Sequence, residues 1–192
     1  SEEINRNKYI IHQQLRQPVK AEAELEKLIS TFPSKMRYYI LLADMKLDVQ
    51  NKKAAFEVYE RALKIKSDDP YVLAEVAHYH YLNDEVEKSF EIYEKVIANK
   101  SYGTKERIEL LKRFSRSGQL DDKIYKQTKK YMTLAGEADP YSPSVNTVVG
   151  EYFFQDQKYE IAKKHYKAVL DVKKNSFLIW RQLLTCSYNL ND

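Results

Sequence analysis

The sequence predicts an all-α chain made of repeated helix hairpins, and three observations carry that prediction. Gly and Pro are scarce, four and five in 192 residues, too few for a sandwich of strands joined by tight turns. Hydrophobic residues make up 43% of the chain and charged residues 31%, enough for a sizeable core beneath a polar outside. The third observation is a self-alignment. Written under AAFEVYERALKIKSDDP (54–70), the segment KSFEIYEKVIANKS (88–101) puts Phe90 on Phe56, Tyr93 on Tyr59, Val96 on Ala62 and Ile97 on Leu63 at a shift of 34 residues. That is the length of one helix–turn–helix unit.

The same shift carries Ala55 back onto Ala21 in VKAEAELEKLISTFP, where Leu25, Leu28 and Ile29 complete the set, and forward onto Ser89. The units then run 2–35, 36–69, 70–103, an irregular 104–142, 143–176 and a half-unit 177–192. One position of the second helix stays small (Ala21, Ala55, Ser89, Ala162), and the position one turn later stays large (Leu25, Tyr59, Tyr93, Tyr166). Pro33 closes the first unit, and Gly150 sits within the first helix of the fifth.

In these features the chain resembles the tetratricopeptide repeat (TPR) family over its whole length. The resemblance implies one domain over residues 1–192, a right-handed superhelical α-solenoid of five repeats and a half, and a segment of a larger bacterial TPR protein. The physics behind the pattern is simple. Two antiparallel helices approach closely only where small side chains meet, and large neighbours fill the space between units. One hairpin cannot bury its apolar face, whereas a stack of hairpins buries a continuous core.

The fourth unit departs from the pattern. Its first helix, TKERIELLKRFSRSG, is regular, with Leu110, Leu111 and Phe114 inward and Gly118 at the turn. Its second helix carries Lys123 and Lys130 where small residues are expected. A shift of four residues restores an apolar stripe of Ile124, Thr128, Tyr131, Met132 and Ala135 at helical spacing. The unit gains about one turn, is expected to end at Gly136, and passes through ADPYSPS to the next helix. In the last half-unit, FLIWRQLLTCSYNLND, Trp180 and Leu183 fall at core positions with no second helix to follow. The expectation is that the chain continues; the alternative is that this face packs on a second copy, giving a homo-oligomer.

The stretch HYHY (78–81) invites a metal reading that helical geometry removes. Residues two apart on a helix point about 200° away from each other, so His78 and His80 cannot chelate one ion. In this register Tyr79 and His80 turn inward, while His78 and Tyr81 face outward. His12 and His165 sit in distant units without partners at ligand spacing. Cys186 is the only cysteine, which excludes an intrachain disulfide. No phosphate loop, nucleophile elbow or HExxH is present. Glu2–Glu3, Asp68–Asp69 and Asp121–Asp122 precede or begin helices, where acids cap and complement the dipole. The expectation is a non-enzyme with no catalytic residues, cofactor or metal.

Charge says less. Lys plus Arg number 32 against 28 Asp plus Glu, a formal net of +4, with the signs interspersed. A basic cluster of Lys112, Arg113, Arg116, Lys123, Lys126, Lys129 and Lys130 with tyrosines nearby raises a nucleic-acid alternative, which the mild net charge disfavours. No apolar run approaches the roughly 20 residues of a membrane span, and SEEINRNKYI is not a signal peptide. The chain begins with Ser, so cytoplasmic and bacterial cell-envelope (periplasmic) locations both stay open.

The TPR resemblance further implies binding of a protein or peptide on the concave surface formed by the first helices. In this chain that surface is expected to include Arg37 and Asp44, then Tyr71, His78 and Tyr81, then Lys105, Lys112 and Arg116. Glu151 and Phe154 follow in the fifth unit, and Arg181 and Tyr188 in the last. The clamp that some TPR domains use for a chaperone's terminal carboxylate finds no match. The first three units offer Arg6 and Ile10, Leu41, and Tyr71 and Glu75; the last three offer Ile108 and Lys112, Val148, and Leu178 and Gln182.

Overall fold

The computed structural model describes residues 1–118 and 121–192. Among these residues the chain is all-α and forms eleven helices without a strand. They are α1 (Glu2–Gln14), α2 (Pro18–Thr31), α3 (Met36–Asp48), α4 (Lys52–Ile65), α5 (Pro70–Leu82), α6 (Val86–Ala98), α7 (Thr104–Gly118), α8 (Asp122–Ala138), α9 (Pro143–Gln155), α10 (Tyr159–Val172) and α11 (Phe177–Leu190). First helices begin at 2, 36, 70 and 104, then at 143 and 177, so the 34-residue step is broken once. The architecture is an α-solenoid, and its contacts divide it into two compact units, Ser1–Tyr93 and Glu94–Asp192.

Local chemistry starts and stops these helices. Pro18, Pro70 and Pro143 open α2, α5 and α9, where a missing N–H costs nothing. Asp69 accepts hydrogen bonds from the N–H groups of Tyr71 and Val72, and Asp121 accepts from Lys123 and Ile124. The first helices α1, α3, α5, α9 and α11 end in one recurring turn. Arg16, Gln50, Asp84, Gln157 and Asn191 all have φ between 53° and 60°. After each, the next N–H reaches back five residues: Gln17 to His12 O, Asn51 to Lys46 O, Glu85 to His80 O, Lys158 to Phe153 O and Asp192 to Ser187 O, at 2.8–3.0 Å. This is the Schellman turn, built here without glycine.

In the first unit the small residues Ala21 and Ala55 are fully buried, with Leu25 and Tyr59 one turn on. Leu28, Tyr39, Leu42, Ala62 and Val72 fill the same core. Tyr79 stacks on Phe56 with centroids 4.4 Å apart, and His80 is buried beside them. His80 Nδ1 lies 3.0 Å from Glu85 Oε2 yet lacks the alignment of a hydrogen bond. Outside, Arg61 grips Glu26 with two bonds of 2.8 Å, joining α4 to α2.

The second unit accommodates the irregular repeat. Helix α8 has 17 residues where the other second helices have 13 or 14. Ile124, Thr128, Tyr131, Met132 and Ala135 are all buried along it. Gly136 does not end the helix, which continues to Ala138; it is buried where α8 meets the imidazole of His165. Gly118 is the last residue of α7, and the turn expected there continues outside the described residues. Helix α10 packs on α9, where a Cβ added at Gly150 would stand 2.8 Å from the Tyr166 ring. Trp180 is corrected too. It is 51% exposed, its indole N–H donates to Lys174 O at 2.8 Å, and Ile179 and Cys186 take the buried positions of α11.

Arg107 holds this arrangement together. It is 1% exposed and donates from Nε to Ile97 O at 3.1 Å and from a terminal nitrogen to Asn99 O at 2.7 Å. A guanidinium there satisfies carbonyls at the end of α6 and complements that end of the helix dipole. Asp139, just past α8, lies 3.7 Å from the same guanidinium and accepts from Thr104 Oγ1 at 2.8 Å. The inserted turn is therefore tied back to the start of α7.

Two outcomes follow from this geometry. Arg107→Met should destabilise the protein by about 3 kcal/mol or more, because it strands buried carbonyls and a carboxylate; a urea-unfolding midpoint within error of the parent would remove Arg107 from this role. Gln157→Gly should stabilise by about 0.5–1 kcal/mol, since glycine adopts φ of this sign without steric penalty. A loss of stability in the same assay would mean that the left-handed turn at Gln157 is not held in solution.

Candidate functional site

The surface expected to bind a partner is described separately in the two units. In the first, α3 carries Arg37 and Asp44 two turns apart on one face, and α5 carries Tyr71, His78 and Tyr81. Helices α3 and α5 pack against each other, which sets these faces side by side. Arg37, Asp44 and Tyr71 are exposed, and His78 and Tyr81 are half-buried. Neighbouring helices desolvate the Asp44 carboxyl, and Asp48 one turn on adds repulsion, so its pKa is raised above the usual carboxylate range.

In the second unit Lys105, Lys112 and Arg116 are exposed on α7, beside Glu151 and the half-buried Phe154 on α9, and those two helices are in contact. Phe154 meets Tyr159 edge-on at 5.6 Å between centroids, so part of its ring is engaged within the protein. Arg181 and Tyr188 project from α11, where Tyr188 is 82% exposed. None of Arg37, Asp44, Lys105, Lys112, Arg116, Glu151 and Arg181 makes an ion pair among the described residues. Several exposed charges of the second helices do, as in Arg61–Glu26 and Lys130–Glu94.

Two features beneath this surface escape sequence reading. Tyr59 and Tyr166, expected only as large fillers, each bury a hydroxyl that has no hydrogen-bond partner. Burial raises both phenol pKa values, with further upward pushes from Glu75 and Asp44 on Tyr59, and from Cys186 and Glu151 on Tyr166. Tyrosine where the first repeat has Leu25 is the signal that could have pointed to them. The basic cluster is thinner than its sequence suggests: Lys129 pairs with Asp156 at 2.8 Å and Lys130 with Glu94 at 2.7 Å. Among the described residues no three His, Cys, Asp or Glu gather in a metal-ligating group, and no helix is long and apolar enough to cross a membrane.

No family model matches the chain. Over 78 residues, 41% of its length, it is 32% identical to a TPR repeat-containing protein of Methanocaldococcus jannaschii, and that stretch spans 14% of the relative. A tetratricopeptide repeat protein from Parabacteroides merdae superposes with a TM-score of 0.51 at 13% identity, over 99% of this chain and 73% of the other. PilW, described as a widely conserved type IV pilus biogenesis factor, superposes with a TM-score of 0.50 at 16% identity, over 99% and 86% of the two chains. Likeness at these identities concerns the fold. In the spacing of its repeats and in the helix pairs they build, the chain has the fold of tetratricopeptide-repeat proteins.

Proposed function

We propose that this chain is a non-catalytic interaction module whose first helices bind a peptide or protein segment. TPR proteins in general mediate protein–protein interactions and serve as scaffolds without catalysis, and the partner chemistry suggested here is the finer step. The observation that carries it is the set of charged side chains on α3, α7, α9 and α11 that make no ion pair, interspersed with Tyr71, Tyr81 and Phe154. Aromatic and arginine side chains set among less important contacts carry most interface energy. Apolar groups of the segment would lie against Tyr71 and Tyr81 in the first unit and Phe154 in the second. Its acidic groups would meet Arg37 in the first unit, and Lys105, Lys112 or Arg116 in the second.

The test begins with a partner retained by the purified chain and identified, followed by calorimetric titration. Tyr81→Ala should weaken binding by about 2 kcal/mol or more while the thermal unfolding midpoint stays in place. Lys95→Ala, on the second helix α6, should change little. If Tyr81→Ala keeps its affinity and loses stability instead, the ring is packing and the binding surface lies elsewhere.

A second reading, self-association, rests on α11. Phe177 is 80% exposed and Leu184 71%, with Leu178 and Trp180 about half exposed nearby, an apolar face of the kind that marks interaction sites. Light scattering at rising concentration distinguishes the readings, since a tight dimer that buries α11 would favour this one.

A further inference from the structure

The irregular fourth repeat leaves a cleft that no part of the groove reading uses. Helices α8 and α10 both pack on α9, and between them lies a space of about 500 Å³. The cleft lies between two second helices, with Asn146 and Phe153 of α9 beneath, and none of the surface residues discussed above lines it. Gly136 shapes its floor, since a Cβ there would stand 2.8 Å from Cε1 of His165. The imidazole edge thus rests on bare backbone, and almost any side chain at this position would displace the ring.

The hydrogen bonds around His165 fix what the ring presents. Asn146 is 2% exposed, and its Nδ2 donates to Pro140 O at 2.8 Å and to Ser142 O at 2.9 Å. Both amide hydrogens are spent, so Oδ1, 2.7 Å from His165 Nδ1, acts only as an acceptor. His165 Nδ1 must then carry the proton. Burial, followed by the nearby Lys164 charge, lowers the His165 pKa, which favours the neutral ring at neutral pH. The remaining lone pair is on Nε2, which accepts no hydrogen bond from a described residue and is not sealed from solvent. The Phe153 ring lies parallel to the imidazole within 8°, at 6.5 Å.

Around this acceptor stand Glu137 from α8 and Glu160 from α10, both exposed and neither in an ion pair among the described residues, with Lys164 the one Lys or Arg among the described residues of the lining. Ile161, 41% exposed, and Phe153 supply apolar wall, and Thr133 and Asn146 are the other polar residues of the lining. We propose that the cleft binds an arginine side chain of a partner protein: a guanidinium N–H donates to His165 Nε2, the charge lies near Glu137 and Glu160, and the stem covers Ile161 and Phe153. Two carboxylates against one ammonium favour a cation. The planar guanidinium brings several donors and stacks on rings, which suits a neutral imidazole beside a phenyl group.

The proposal is tested by nitrogen NMR on the isotope-labelled chain, titrated with acetyl-Ala-Arg-Ala-amide, with acetyl-Ala-Glu-Ala-amide and free arginine as controls. The free protein should show His165 as the Nδ1–H tautomer. The arginine peptide should then shift His165 Nε2 and the amides of Gly136 and Glu160 saturably, with Kd on the order of millimolar for so small a ligand. The double variant Glu137→Gln/Glu160→Gln, altered only at exposed side chains, should weaken that binding about fivefold. An Nε2–H tautomer, equal binding of the glutamate peptide, or an unaffected double variant would each overturn the proposal. Tighter binding of free arginine than of the peptide would overturn the assignment to a partner protein. Peptide-induced shifts confined to α3, around Asp44, would move the cation site to the other surface and sink this one.

Discussion

Two helices can cross closely only where one of them presents little beyond backbone, and the packing of the regular pairs of this chain depends on that requirement being met. Ala21, Ala55, Ser89 and Ala162 meet it on the second helices, all fully buried. Gly150 meets it on a first helix, where the Tyr166 ring lies against its backbone. Large residues one turn beyond each small one then wedge between pairs: Leu25, Tyr59, Tyr93 and Tyr166 are essentially inaccessible. Close approach and wedging together commit one face of each helix from α2 to α11 to the core, while α1 buries no residue fully. The first helices keep outward faces less committed to packing, and on these faces charges that make no ion pair among the described residues collect beside tyrosines.

The interruption at the fourth repeat is absorbed by polar chemistry. A lengthened α8 carries the chain to Asp139, and Thr104 and Arg107 bring that residue back to the start of α7. Arg107 is buried because it answers carbonyls that the end of α6 leaves open. A buried arginine of this kind is tolerated only when its donors find partners. The same lengthening sets Gly136 beside His165 and opens the cleft between α8 and α10. One insertion thus alters both the stacking and the chemistry of the second unit.

Much of the fold was legible because a 34-residue step leaves similar residues at corresponding positions, and the burial of Ala55, Tyr59, Tyr93 and Ala162 follows directly from it. The shifted stripe of α8 was legible for the same reason, since helical spacing survives an insertion. The turns were not. Arg16, Gln50 and Gln157 adopt left-handed backbone without being glycine, so their identity carries no sign of the conformation. Arg107 reads as a solvated surface residue until the ends of α6 and α8 are placed around it. Trp180 misled because the repeat register placed it at a core position, whereas its indole N–H finds Lys174 O outside the core. For the candidate site, register located residues such as Arg37 and Tyr81 on outward faces, but the partnerless hydroxyls of Tyr59 and Tyr166 depend on three-dimensional neighbours that spacing does not encode.

The close crossing of paired helices underlies both fold and surface, and proton NMR reads that crossing directly at Gly150. The α-protons of Gly150 should show strong nuclear Overhauser effects to the ε-protons of Tyr166, because the ring carbon Cε1 comes within 2.8 Å of where a Cβ would be. They should also be displaced upfield by the ring current. Gly150 α-protons at random-coil shifts, with no Overhauser effect to Tyr166, would contradict the crossing and with it the arrangement of first-helix faces that the functional reading requires.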